Sequence, residues 1–503
     1  MVSHRLLCRC PLGARLVGVG FILLLVIGCA VNPATKEREL MIVSEDQEFR
    51  IGQGVDKQLR EEMGVYLELP DLRALVKEVV ENLGRNSDRP HLIYRVEIVD
   101  TPDFNAFAVP GGFVYVHRGL LERMNSVDEL ASVLGHEIAH VAARHSAAQI
   151  SKAQLMNIGL LGVAVATKGA VQDYGQLINM GAALAFNKFS RDDEREADYF
   201  GTQYLTLAGY NPRASIEVMK HIQRLETREP STVEVWFMTH PPTSERLVNL
   251  NHEIEKLSAK QPETLLRSYQ RNRFIRLLDG LVVGEWNGNE LIRGDNYYNK
   301  EYLLQLEIPQ GWQARINSKD YAALFADAKK DYSAYFDIEP LQTRKTVEEY
   351  SKDFEQKLRR AGLRQEKTYA TNELLPHGAK TTVYSGYDGS RGAIMVEGAV
   401  FVSGANGYSL IGSSKREDFD EFRPLLESMV ANLRFISQQE ANQLQPPRLQ
   451  IHTVEKGESW GSLTQKYFGV TEEKAKLAEY NGFEVSQVPP PGTLIKVPPS
   501  LRF

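Results

Sequence analysis

Apolar residues recur along this chain with two periods. Leu130, Val133, Leu134 and Val141 follow the three-and-four spacing of a helix with one packed face. Just ahead of them Ser126-Val127-Asp128-Glu129 has capping-box spacing, so a helix is expected to begin there. Leu72, Leu75, Val76, Val79 and Leu83 mark a second helix, stopped by Gly84, and Ser44-Glu45-Asp46-Gln47 opens a third that carries Phe49 and Ile51. Residues 92–99 instead alternate apolar and polar positions, as a half-buried strand does, and residues 105–121 continue as a second strand turned at Pro110-Gly111-Gly112.

Farther along, the pattern changes character. Residues 156–186 are rich in Gly, Ala, Leu and Ile, but their longest apolar run, 158–166, falls short of the ~20 residues that span a bilayer. They read as helices packed over a site or against a lipid surface. Residues 266–300, including the basic run 267–276 with Tyr269 and Phe274 inside it, read as a linker or a helix face. Strand-like runs at 303–308, 379–384, 392–402 and 408–411 then surround helical 347–361, and a last helix covers 419–432, which predicts an α+β domain over 301–437. Gln445-Pro446-Pro447 is a linker leading to a small tail at 450–499. The fold class expected is α+β multidomain.

A chain of 503 residues is too long for one domain, and two or three are expected. The formal net charge of -6 implies no nucleic-acid partner. At the start, Arg5, Arg9 and Arg15 precede an apolar core at 16–27, the length and flanks of a signal peptide, ending Val26-Ile27-Gly28-Cys29. The cysteines are Cys8, Cys10 and Cys29, and the first two would leave with that segment. Disulfides, a cysteine nucleophile and a thiolate zinc cluster are therefore excluded from the mature chain. No GxxxxGK[ST] loop is present either.

The candidate chemistry sits at ASVLGHEIAHVAARHS. Residues four apart share a helix face, so His136 and His140 can offer two imidazoles to one metal ion, with Glu137 beside them as a proton acceptor. Two nitrogens and no thiol suit one zinc per chain, which needs a third protein ligand and an open fourth position. The segment SRDDEREADYFG supplies Glu194, with Asp198 one helical turn on. His240, in WFMTHPPTSERL, precedes two prolines and is expected in an extended loop, with Thr243 capping the helix that carries Arg246.

HEIAHVAARHS followed by EREAD resembles the M48 family of metallopeptidases. The resemblance implies a mostly α-helical, gluzincin-like zincin domain over 30–265, with His136, His140 and Glu194 as zinc ligands, Glu137 as general base, and Asp198 and Arg246 standing behind the ligands. It places His240 on a loop near the metal, either filling the open position or donating to the oxyanion. It also makes PGGFVYV an edge strand that binds substrate backbone, a role compatible with its being a packed hairpin strand. Residues 1–29 resemble a lipoprotein signal with its lipobox, which implies lipidation of Cys29 and, with Ala30 following, the periplasmic face of a bacterial outer membrane. The 301–437 segment is similar to PsbP/Mog1-like sandwiches. The tail, HTVEKGESWGSLTQKYFG with EYNGF and PPPGTLIKVP, is similar to a βααβ LysM module, which implies peptidoglycan as a partner, while Trp460 and Leu463 read as core or as contacts. The function expected is a lipid-anchored zinc endopeptidase acting on protein or peptide substrates, misfolded or assembling envelope proteins among them. A non-cleaving chaperone for outer-membrane proteins and a cell-wall peptidase are the alternatives.

Overall fold

Strand β1 (Cys29–Val31) pairs antiparallel with β2 (Arg38–Leu40). Asn32 closes the turn between them: its Oδ1 accepts from the N–H of Ala34 at 2.9 Å, and its Nδ2 donates to the carbonyl of Ala143 at 2.9 Å. The segment after Cys29 is thus a docked hairpin and not the free continuation its polar sequence suggests, because one buried Asn bonds the turn's backbone and ties it to the Ala143 carbonyl. The computed structural model describes residues 29–160, 188–228, 236, 239–240, 244–267, 269–316, 322–327, 329–369 and 378–501. The leader at 1–28 and the apolar stretch beyond residue 160 lie outside them. Among the described residues no helix is long and apolar enough to cross a membrane.

The chain divides into two units, Met1–Leu281 with Leu449–Leu501, and Val282–Arg448. In the first unit, α1 (Glu45–Met63) begins with the Ser44–Gln47 capping box that its sequence predicts. Helix α2 (Pro70–Arg85) does not stop at Gly84. That glycine is the last residue but one of the helix, and a Cβ there would meet the Tyr94 ring at 2.4 Å, so it serves close packing and does not take the left-handed conformation of a helix stop. Strand β3 (Arg95–Val99) pairs parallel with β5 (Phe113–His117), which pairs antiparallel with β4 (Ala106–Val109). The order β3-β5-β4 makes AFAV an edge strand and puts FVYV in the middle, which corrects the expectation for PGGFVYV. The turn residues Gly111 and Gly112 both have φ above 80°, the left-handed region that a side chain resists.

Helix α3 (Arg118–Arg123) leads to α4 (Val127–Ala142), followed by α5 (His145–Leu160), α6 (Arg191–Leu207), α7 (Ala214–Arg228), α8 (Ser244–Lys260) and the short α9 (Arg271–Leu277), so part of the expected linker is helical. Only half of the predicted capping box forms at α4: Ser126 Oγ accepts from Glu129 N–H at 3.1 Å, while the Glu129 carboxylate accepts from Asn125 N–H. Helices α4 and α6 cross at Gly135 and Gly201, where a Cβ on Gly201 would lie 3.0 Å from the backbone of Gly135 and His136. Two glycines at one crossing let the helix axes approach closely, and that approach delivers α6 side chains to the α4 histidines.

The tail belongs to this same unit. Strand β6 (Gln450–Thr453), α10 (Trp460–Phe468), α11 (Lys474–Tyr480) and β7 (Leu494–Val497) form a βααβ arrangement whose two strands pair antiparallel. Trp460 and Leu463 are buried with Val454, Leu477 and Ile495, hence core. Lys496, on β7, is wholly buried: its Nζ donates to the carbonyls of Glu122 at 2.7 Å and Met124 at 2.9 Å, beside the Tyr480 ring at 4.6 Å. Tyr480 donates to the Glu122 carboxylate at 2.8 Å. Burial, with Arg271 nearby, pushes the Lys496 ammonium well below its usual pKa.

In the second unit a seven-stranded antiparallel sheet runs in the order Arg364–Tyr369, Lys380–Asp388, Gly392–Ser403, Asn406–Lys415, Tyr332–Pro340, Ala323–Asp327, Gln313–Ile316. Alternation along the long central strand decides which helix covers which face. Val396 and Val400 pack with Tyr350, Phe354 and Leu358 of Val347–Arg360, whereas Ala399 and Phe401 pack with Phe422, Leu426 and Met429 of Phe419–Asn432. The remainder of the expected linker holds strands Glu290–Arg293 and Asn296–Asn299, in a second sheet with Leu304–Glu307 and Arg434–Phe435. Those strands are four residues long and end on polar residues, so the alternation in each is too brief to distinguish it from loop.

Candidate metal centre

Helix periodicity and the α4–α6 crossing together place three side chains around one point. Nε2 of His136 lies 3.1 Å from Nε2 of His140, and Glu194 brings Oε2 to 3.6 Å from the first and Oε1 to 3.6 Å from the second. His240 adds a fourth donor atom: its Nδ1 is 2.9 Å from Oε1 of Glu194 and 3.3 Å from Nε2 of His136. All four residues are buried, and their ligand atoms lie within 4.8 Å of one another. Ligands bonded to zinc at ~2.0–2.1 Å in a tetrahedron are spaced about 3.3–3.5 Å apart, close to these separations. Facing imidazole nitrogens without a cation between them would leave lone pairs opposed, so the donor set itself fits one zinc ion.

His240 does not sit in an extended loop. Its N–H is accepted by the Trp236 carbonyl at 2.8 Å, closing a helical turn. The restraint from Pro241 acts on the φ and ψ of His240 and leaves the turn before it free to form. Trp236 packs against the His240 ring at 4.8 Å. Thr243 lies outside the described residues.

Glu137 is buried beside the cluster, with Oε1 at 3.4 Å from Nε2 of His240 and without a hydrogen-bond partner. Burial pushes its pKa up, against the pull of His240 and His136, and the N–H of Ala108 on the edge strand reaches its carboxylate. An orphaned, buried carboxylate oxygen aimed at the cluster is what a proton acceptor for water requires. The strand next to Glu137 is AFAV, residues 106–109, and not FVYV.

Behind the ligands stands a charged frame. Asp198 Oδ1 meets Nδ1 of His136 at 3.1 Å, and Arg246 Nη1 lies 2.8 Å from Oε2 of Glu194. Burial opposes ionisation of both carboxylates, yet Arg246 and His136 hold Asp198, and the His240 and His136 rings hold Glu194, below the ordinary carboxylate range. Residues 190–201 of the sequence contribute this through α6, whose Ser190–Asp193 capping box fixes the first turn just ahead of Glu194. Every site residue expected from the sequence is in this neighbourhood except Cys29, which lies on β1. Two further residues, His145 and Phe189, pack against the ligand His140. The His140 ring stacks on Phe189 at 4.0 Å, and its Nδ1 is 2.8 Å from Nδ1 of His145. Both lie within or next to the quoted motifs, but neither has helical spacing from the ligands that would single it out.

Residues 70–254 match Peptidase family M48. Metalloprotease YcaL of Escherichia coli (strain K12) is 31% identical over 179 residues, covering 35% of this chain and 68% of that protein. The beta-barrel assembly-enhancing protease of Yersinia pestis is 29% identical over 224 residues, covering 43% of this chain, which spans only 45% of the Yersinia protein. A solution structure of cyanobacterial PsbP from Synechocystis sp. PCC 6803 aligns with 30% of this chain and 98% of its own at 12% identity, but a TM-score of 0.23 establishes no common fold. With the His-His-Glu cluster and its adjacent glutamate built as they are on α4 and α6, the matched segment places the chain in peptidase family M48, as a zinc metalloendopeptidase.

Proposed function

We propose that this chain is a lipid-anchored endopeptidase of the bacterial cell envelope, cleaving misfolded or assembling envelope proteins, with Glu137 as its general base and His240 as a brake on the metal. The observation that carries the reading is the orphaned Oε1 of Glu137 next to the three converging ligand atoms. Zinc, when bound, lowers the pKa of water to about 7 and polarises a carbonyl oxygen. His136, His140 and Glu194 hold it, while Asp198 and Arg246 fix the orientation of the ligands. Glu137 takes the proton of the attacking water and returns it to the leaving amine. His240 supports the braking role because its Nδ1 lies among the ligand atoms, where the fourth position belongs.

The anchor is Cys29, read from its lipobox, with Ala30 after it favouring the periplasmic face of the outer membrane. Peptidoglycan is the proposed partner of the LysM-like tail, on its βααβ order and its Asn481-Gly482 and Pro491-Gly492 turns. The PsbP/Mog1-like reading of 301–437 is part of the same proposal and rests on two helices flanking one antiparallel sheet. A second reading is favoured by the same His240 contact: a metal site held closed suits a factor that holds outer-membrane proteins without cutting them.

Incubating the purified chain with denatured casein and with peptidoglycan, with and without a chelator, separates these. Cleavage of casein that stops with chelator is expected, and Glu137→Gln should keep its zinc while turnover falls by ~10²–10⁴. Peptidoglycan cleavage alone would make the chain a cell-wall peptidase, and binding of casein without cleavage would make it a holding factor.

A further inference from the structure

The two histidines of α4 are oriented by different devices. Behind His136 stands a carboxylate, Asp198, at 3.1 Å from Nδ1. Behind His140 stands another imidazole, with Nδ1 of His145 at 2.8 Å from Nδ1 of His140.

The direction of that bond follows from the metal. Nε2 of His140 is the atom that faces His136 at 3.1 Å and Glu194 at 3.6 Å, so it must present a lone pair, and the single proton of the neutral ring belongs on Nδ1. Nδ1 of His145 is then the acceptor, which leaves the proton of His145 on its Nε2. That atom has the Glu196 carboxylate at 3.2 Å and Asp193 at 3.9 Å. We infer that His145 is a positioning residue for zinc, locking the tautomer and ring plane of His140 through a relay from Glu196. The inference rests on zinc being held through Nε2 of His140.

Two further features show that the placement is enforced. The His140 ring is held on its face by Phe189, stacked at 4.0 Å and 24°, so only its edge remains to be fixed, and the His145 ring meets it edge-on at 75°. His145 also follows a left-handed residue: Arg144 has φ 59°, a conformation costing about 1–2 kcal/mol for a non-glycine. Its guanidinium bonds to the buried carboxylate of Glu48 and donates to the Val43 carbonyl at 2.7 Å, and Glu48 is also bonded by Arg89 at 2.9 Å. That anchored turn breaks the helix at the end of α4 and starts α5 at His145, whose ring lies against His140. An imidazole five residues beyond a ligand would point elsewhere on a continuing helix.

The test uses the full chain and zinc itself. Zinc content of the wild type is measured first; a wild type that holds no zinc overturns the metal reading and is told apart at this step. Zinc affinity is then measured by competition with a chelator of known strength, alongside thermal unfolding of the metal-free proteins. His145→Ala removes the acceptor and is expected to weaken zinc by about 10–100-fold. His145→Gln restores a carbonyl acceptor and is expected to recover most of that loss, with metal-free unfolding alike in the two variants. Glu196→Ala, at a side chain 37% exposed and so open to replacement, should weaken zinc roughly tenfold, which keeps the test alive should His145→Ala fail to fold. Zinc affinity indistinguishable from wild type in the His145→Ala or Glu196→Ala chain, or equal losses in the Ala and Gln variants of His145, overturns the assignment.

Discussion

Arg246 clasps Asp198 with two hydrogen bonds, Nε to Oδ2 and Nη2 to Oδ1, each 2.8 Å, and Asp198 in turn meets His136 at 3.1 Å. The same guanidinium reaches Glu194, so one side chain neutralises both the ligand carboxylate and the carboxylate behind His136. Arg246→Ala should therefore cost about 3–5 kcal/mol, because it leaves buried charge unpaired. Arg246→Lys keeps the charge but loses the planar fork, and zinc affinity should fall while the chain still folds. Denaturant unfolding and chelator competition on the two variants check this, and equal behaviour of Lys and Arg at 246 would show that charge alone matters.

His240→Ala is expected to raise casein cleavage and to promote self-cleavage with zinc content nearly constant, since the imidazole no longer competes for the fourth position. A fall of ~10²–10³ would instead identify His240 as an oxyanion donor. Steady-state turnover of the variant gives the sign directly.

The glycine crossing of α4 and α6 predicts a third outcome. A Cβ at Gly201 meets backbone at 3.0 Å, and the branched side chain in Gly201→Val must push the helices apart. Because Glu194 and Asp198 ride on α6 and the histidines on α4, zinc affinity should drop along with stability. Stability lost with zinc affinity intact would mean that the crossing can open without moving the ligands.

In the second unit Glu397 is fully buried, and burial pushes its carboxyl up to about 7 despite Arg423 nearby. A carboxyl whose pKa is raised in the fold binds its proton more tightly there than in the unfolded chain. Its contribution to stability is thus greatest at low pH and is lost as pH rises from about 4.5 to 7, amounting to about 3 kcal/mol. Glu397→Gln should remove that slope and stabilise the unit above pH 7, as unfolding midpoints across the range would show.

How much of this was legible in the sequence depends on the range of each interaction. His136, Glu137 and His140 are fixed relative to one another by helix geometry alone, and Glu194 and Asp198 by a second helix, so the metal set could be read from spacing and motif. The edge strand could not. AFAV and FVYV have the same burial pattern, and which is outermost follows from the parallel pairing of β3 with β5, a long-range choice. His145 was hidden for a related reason: its position depends on a left-handed break between helices at Arg144, and nothing in ARHS announces a left-handed arginine. The hairpin after Cys29 was hidden because one Asn contacts Ala143 across 111 residues.

Lys496 gives the molecule a schedule. The loop just ahead of the histidine helix is held by an ammonium group made 372 residues after Met124, beyond the whole second unit. At ~5–20 residues per second, synthesis from residue 281 to Lys496 occupies on the order of 10–40 s. Throughout that interval the carbonyls of Glu122 and Met124 lack their donor, each at a cost of about 1–3 kcal/mol if they are buried without one. The segment ahead of α4 therefore gains its donor only once β7 has been made, long after the metal ligands themselves.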